Sequence, residues 1–190
     1  MTYAPTLSAT GFWEGKDKPY HTCSDALCNW ISNYFGENKD KQVYDFGCGS
    51  GQYLRRLHNN GFTKLTGFEG SVPENAEFDN IIQQDLTVLF NLPHKGNCIF
   101  LEVAEHVPSQ FEDMLLANIA NACDDKLVMS WAIRGQAGHG HVNCLNNDEA
   151  IERMTRNGFT YLPEETASAR SVMLDGDLPW FKNTLLIFKK

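Results

Sequence analysis

No apolar run in this chain approaches the length of a membrane span, and Met1 to Thr10 has no basic stretch leading into an apolar one. Neither a transmembrane anchor nor a secretory leader is expected, so the chain reads as soluble and cytoplasmic, with no membrane partner. Cysteine pairs at metal-ribbon spacing are missing too. Cys23, Cys28, Cys48, Cys98, Cys123 and Cys144 include no C-x-x-C, which argues against a zinc ribbon and suits reduced thiols in a cytosolic protein. Positive charge is scarce: 16 Lys and Arg stand against 24 Asp and Glu, a net charge of −8. That balance disfavours a broad phosphate-binding face, and RNA as a partner with it. No Lys occurs between Lys41 and Lys64, so a phosphate-cradling Gly-Lys-Ser/Thr loop has no candidate there. Internal repeats and low-complexity tracts are also missing.

What is present is a globular composition. Hydrophobic residues make up 42% and charged residues 21% of 190, long enough for one domain with a real core. Residues 1–38 are expected to form an N-terminal cap segment and a helix, and residues 39–190 the main body. Thr22-Cys23-Ser24-Asp25 supply N-caps for that helix, which runs to about Phe35 with Leu27, Trp30, Ile31 and Tyr34 on one face and Gly36 as its stop.

The most informative segment is Val43-Tyr44-Asp45-Phe46-Gly47-Cys48-Gly49-Ser50-Gly51. Val43, Tyr44 and Phe46 suit a short buried strand. Gly47, Gly49 and Gly51 leave the backbone bare, so a ligand can lie against it. A helix over about Gln52 to Asn60 then aims its first N–H groups at that ligand. Asp45 suits a ligand carrying a positive amino group. The dinucleotide fingerprint G-x-G-x-x-G is not met, because Gln52 stands where its third glycine belongs.

Further strands are expected at 64–68, 80–84, 97–102 and 126–131, with a helix over about 109–122. Asn147-Asp148-Glu149 caps a helix to about Asn157 that Gly158 closes; a short strand at 159–161 and a final antiparallel one at 185–188 follow. The link from Gly70 to Phe78, with Pro73, is too short for a full crossover helix. Strands alternating with helices imply an α/β fold, a mostly parallel sheet with helices on both faces. Ligands of such sheets bind beyond the carboxyl ends of the strands. Besides the glycine loop, the residues there are Glu69, Asp85-Leu86, the run Glu102-Val103-Ala104-Glu105-His106, and a loop from Arg134 to Asn143 that carries His139 and His141.

From Val43 to about Val107, these ordered motifs resemble those of the class I S-adenosylmethionine-dependent methyltransferases. That family has a Rossmann-like seven-stranded sheet of order 3-2-1-4-5-7-6. The resemblance implies S-adenosylmethionine as cofactor. Asp45, Gly47, Cys48, Gly49 and Gly51 would hold its methionine end, Glu69 its ribose hydroxyls, and Asp85 and Leu86 its adenine edge, with Glu102 completing the cofactor site. It also implies an N-terminal piece that covers the cofactor, with Trp13, Tyr20 and Trp30 as lid candidates.

Glu-x-x-Glu-His with a distant His resembles the metal site of the plant small-RNA 2′-O-methyltransferases. The longer Glu-x-x-Glu-His-Val-Pro also resembles the ubiquinone-biosynthesis O-methyltransferases. By position, the ligands of Mg²⁺, Mn²⁺ or Zn²⁺ would be Glu102, Glu105, His106 and His141, with His139 the alternative to the last. The other reading is metal-free, with His106 or His141 as general base and Glu105 a third catalytic candidate. The Asp/Asn-Pro-Pro-Tyr/Phe motif of nucleobase amino methylation does not follow the fourth strand. Arg170, Met173, Asp175, Asp177, Trp180 and Phe181, between the last two strands, are candidates to shape the substrate pocket. The expected activity is O-methylation of a small molecule or glycan. Metal-dependent RNA 2′-O-methylation and a non-catalytic cofactor- or partner-binding module are the alternatives.

Overall fold

Strands and helices alternate along the chain in the computed structural model, which describes residues 6–14, 22–173 and 178–190. In order they are β1 (Thr6–Leu7), β2 (Trp13–Glu14), α1 (Asp25–Phe35), β3 (Val43–Phe46), α2 (Gln52–Asn59), β4 (Leu65–Glu69), β5 (Ile81–Gln83), β6 (Gly96–Phe100), α3 (Glu112–Ala122), β7 (Cys123–Ser130), α4 (Asn147–Arg156), β8 (Thr160–Tyr161), α5 (Pro163–Ser171), α6 (Phe181–Thr184) and β9 (Leu185–Lys189). Two 3₁₀ turns, Ala104–His106 and Ser109–Phe111, link β6 to α3.

The main sheet has seven strands in the order β5-β4-β3-β6-β7-β9-β8. Counted from β3, this is 3-2-1-4-5-7-6, the expected order. Strands β3 to β7 pair in parallel, and β9 runs antiparallel to both β7 and β8. All four residues of β3 are buried because helices cover both faces. Tyr44 and Phe46 point into one core with Phe68, Phe100, Trp131 and Leu115, while Val43 points into the other with Leu27, Ile31, Leu54 and Ile187. The chain reverses direction across the sheet between β3 and β6, and this switch point opens the crevice where a ligand can enter.

Local signals mostly act where expected. The Ser24 hydroxyl accepts from the Leu27 N–H at 3.1 Å and starts α1; Gly36 ends it at φ 86°. Helix α4 is capped by Asn146, one residue earlier than the sequence suggested, in a reciprocal box with Glu149. The link between β4 and β5 contains no helix, as its length requires.

Three features depart from the sequence reading. The strand expected at 97–102 stops at Phe100, because Glu102 adopts a positive φ of 55° and leaves the sheet. The connection after β8 contains a helix, α5, started by Pro163 in its first turn. The N-terminal segment, which has no sequence period, forms the β1–β2 hairpin. Tyr20, Asp175 and Asp177 lie outside the described residues. Among the described residues, no helix is long and apolar enough to cross a membrane.

Candidate functional site

The glycine loop follows directly from β3. Its first two N–H groups, of Gly47 and Cys48, donate to the Phe68 carbonyl at 2.8 and 3.1 Å, which folds the loop over the end of β4. Gly47 has φ 73°, and a Cβ there would collide with the Val103 side chain. Any other residue would therefore be strained in backbone and in space. The Gly49 N–H donates to Glu69 Oε2 at 3.0 Å, and the Ser71 N–H lies 3.4 Å from Oε1. Glu69 is thus oriented at the lip of the loop.

Asp45 lies beneath the loop with 3% of its surface exposed. Burial, and then the nearby Glu69 charge, push its carboxyl up to about 8. A buried acid in this state is poised to pair with a cation that enters beside it. Asp85 sits at the end of β5. Its Oδ1 accepts from the Thr87 N–H and hydroxyl at 2.8 and 2.7 Å, and its Oδ2 from the Thr10 hydroxyl at 2.9 Å.

These groups face one cavity of about 400 Å³, of the size that holds a nucleoside-bearing cofactor. Asp45, Gly47, Cys48, Glu69, Asp85 and Leu86 line one end, and Glu102, His106, His139 and His141 the other. Gly49 and Gly51 are off the wall. The Gly49 N–H is committed to Glu69, and Gly51 starts α2.

The far end is built by two facing segments. The Glu105 carbonyl accepts from the Val142 and Asn143 N–H groups at 2.8 and 3.0 Å, which pins the histidine loop to the 3₁₀ turn. Behind it, the buried Trp131 donates its Nε1–H to the Asn143 carbonyl at 2.6 Å. Trp131→Phe is expected to cost about 1–3 kcal/mol. Amide exchange at Val142 and Asn143 should then speed up while that of β3 stays unchanged.

His106 Nδ1 lies 3.2 Å from the Gly140 carbonyl, and His141 Nδ1 lies 3.3 Å from the Gln136 carbonyl. A carbonyl only accepts, so each bond places a proton on Nδ1, and in the neutral ring the lone pair is then on Nε2. Burial, and next the His141 ring, lower His106 to about 4, so its imidazole is neutral at physiological pH. The rings meet edge to face with centroids 5.1 Å apart.

Glu105 is fully buried, and neither carboxylate oxygen has a hydrogen-bond partner. Burial pushes its carboxyl well above the usual range and the Glu102 charge adds to this; the backbone N–H groups of Glu105 and Ala132 oppose it without reaching hydrogen-bond geometry. Ligand atoms of Glu105, His106 and His141 all lie within 4.8 Å of one another. One orphaned carboxylate and two imidazoles, each fixed through Nδ1 by a backbone carbonyl, are a donor set that fits a divalent metal ion.

The anticipated fourth ligand, Glu102, stands outside this cluster. Its N–H donates to Ser130 Oγ at 2.8 Å, and the same hydroxyl donates to Glu102 Oε1 at 2.7 Å. That two-point hold sustains the positive φ. Burial, opposed by the Ser130 bond, brings its carboxyl up to about 7. Glu105 is set behind the cavity wall, not on it. His139 packs edge-on against Trp13, with centroids 5.9 Å apart, and is not in the three-residue cluster.

Of the lid candidates, Trp13 lines the cavity and Trp30 does not. The Trp30 indole donates to Ser168 Oγ and stacks on Tyr34. Trp180 and Phe181 line the cavity, whereas Met173 is buried in the core and Arg170 caps the carbonyls of Leu185 and Asn183. Thr10, Phe12 and Ser130 had no signal in the sequence, because each acts through a partner distant in the chain.

No family model matches the sequence, and the search of curated proteins gave no match. Solved structures are similar in fold. Magnesium protoporphyrin IX methyltransferase from Synechocystis PCC 6803, with S-adenosylhomocysteine bound, superposes with a TM-score of 0.61 at 19% identity, over 87% of this chain and 80% of that one. The 1,6-didemethyltoxoflavin N1-methyltransferase of Burkholderia thailandensis gives 0.65 at 14% identity, over 87% and 77%. The methyltransferase domain of a bacterial protein, CtHen1-C, gives 0.61 at 15%, over 85% and 95%. At these identities the likeness is one of architecture, and this chain has the Rossmann-like fold of the class I S-adenosylmethionine-dependent methyltransferases.

Proposed function

We propose that the chain is a cytoplasmic methyltransferase that moves a methyl group from S-adenosylmethionine to an oxygen of a small molecule or glycan. Residues 39–190 form the catalytic core in this reading, and residues 1–38 cap it. One observation carries it. A single cavity has the buried Asp45, the glycine loop and the Glu69 carboxylate at one end, and the neutral His106 imidazole beside His141 at the other. The structurally similar magnesium protoporphyrin methyltransferase holds the demethylated cofactor, which supports the same ligand here.

Asp45 pairs with the amino group of the methionine end, the first N–H groups of α2 take its carboxylate, and Glu69 takes the ribose hydroxyls. The sulfonium is already activated. The chain therefore has to align acceptor, methyl and sulfur and keep water out. A hydroxyl acceptor must also lose a proton, and an imidazole of about 4, open at Nε2, can accept one at neutral pH.

Glu105, His106 and His141 would hold a divalent ion. Such an ion supplies Lewis acidity that lowers the pKa of a hydroxyl. The net charge of −8 weighs against RNA as the acceptor, and a gel shift with short duplex RNA at low salt is expected to show no complex.

Titration calorimetry with S-adenosylmethionine and S-adenosylhomocysteine tests the reading. One site per chain is expected for each. Absence of heat and of thermal stabilisation with both ligands at millimolar concentration refutes it.

A further inference from the structure

The residue after Glu69 is Gly70, so β4 ends with no side chain where a nucleoside base would leave the ribose carboxylate. The space is not empty. A Cβ on Gly70 would collide with Cγ and Cβ of Phe12, whose ring lies against that bare backbone and lines the cavity.

Phe12 is set there by a tight, self-bonded loop. The Ser8 N–H donates to the Phe12 carbonyl at 2.8 Å, and the Ser8 hydroxyl accepts from the Phe12 N–H at 3.1 Å. The loop is fastened at both sides of the cavity. The Thr10 hydroxyl bonds to Asp85 at 2.9 Å. Gly11, at φ 100°, lies so close to the His106 carbonyl that no side chain fits there. Phe12 therefore stands against Gly70, on a loop tied to Asp85, and lines the same cavity as Glu69 and Leu86.

The structure assigns Phe12 as a cofactor-binding residue, the aromatic face on which the purine of the nucleoside stacks in place of a side chain from β4. The assignment rests on the proposed cofactor. It makes the N-terminal hairpin part of the nucleoside site. Stacking of a base on an aromatic ring is worth roughly ten- to a hundredfold in affinity.

Calorimetry on Phe12→Leu and Phe12→Tyr separates a ring from mere bulk, using S-adenosylhomocysteine and 5′-methylthioadenosine, which has base and ribose but no amino-acid end. Leu is expected to weaken both ligands by the same factor, ten- to a hundredfold, with the ligand-free melting temperature close to wild type. Tyr is expected to stay within threefold. Wild-type affinity in Phe12→Leu would overturn the assignment and leave the cofactor reading intact, as would a loss confined to S-adenosylhomocysteine. Failure of the unmodified chain to bind either ligand would overturn both.

Discussion

Asp45→Asn is expected to make the ligand-free protein more stable and to remove most of its affinity for S-adenosylmethionine. Both effects come from one fact, a carboxyl with 3% of its surface exposed that burial pushes up to about 8. In the unfolded chain an Asp titrates near 3.9. Between those values the folded state holds the extra proton, so the stability of the wild type falls as pH rises from about 4 to about 8. Below that window the acid is protonated in both states and costs nothing. The ceiling of the cost is about 5.6 kcal/mol, and local relaxation lowers it. The Asn variant has no such slope. Melting curves should show its advantage grow from about pH 4 to about pH 8, reaching roughly 4–8 °C if about 2 kcal/mol of the cost is retained.

The cofactor reverses the balance. Its amino group pairs with an ionised Asp45, so binding at pH 7 releases a proton. Calorimetry in buffers of different ionisation enthalpy reads that proton directly. Loss of one partner of a buried pair costs about 3 kcal/mol or more, so the variant should bind S-adenosylmethionine at least about a hundredfold more weakly. 5′-Methylthioadenosine, which never reaches Asp45, should bind as before. A variant that keeps its S-adenosylmethionine affinity would remove the acid from the proposed cofactor site.

The parts of this site that were legible in the sequence are those whose partners are near in the chain or whose pattern is strongly periodic. The alternation of strands and helices followed from apolar runs such as Val43–Phe46 between capped helices, whereas the sheet order came from the family resemblance. Asp45, the glycine loop and Glu69 stood out because spacing alone puts them at neighbouring strand ends. The hairpin was illegible. Its strands are two residues long, and its contacts are Gly70, Asp85, His106 and Gly140, far along the chain. Helix α5 hid because little of it is buried, chiefly Thr166 and Ala169. The roles of Glu102 and Glu105 were inseparable by spacing. Only the positive φ of Glu102 and its bond to Ser130 set it apart from the acid that faces the imidazoles.

That separation gives the second large effect, at Glu105. In the absence of metal its carboxylate is buried with both oxygens unpartnered, a state that costs stability. Glu105→Gln removes the buried charge but leaves an amide as poorly partnered as the acid. It should therefore stabilise the metal-free chain only at a pH where the acid would ionise, while weakening any ion held with His106 and His141. Manganese at about a hundred times its dissociation constant should add about 2.7 kcal/mol to the wild type, a rise of roughly 5–10 °C in melting temperature. Glu105→Gln should lose most of that rise, and His141→Ala should lose it with no gain in metal-free stability, because the imidazole it removes is hydrogen-bonded through Nδ1. Chelation should cut methyl transfer at least tenfold, and Mn²⁺ or Zn²⁺ should restore it. If no divalent ion shifts the melting curve and turnover survives the chelator, the cluster is metal-free. The lone pairs on Nε2 of His106 and His141 would then be the site's proton acceptors, and Glu105→Gln should leave turnover nearly unchanged.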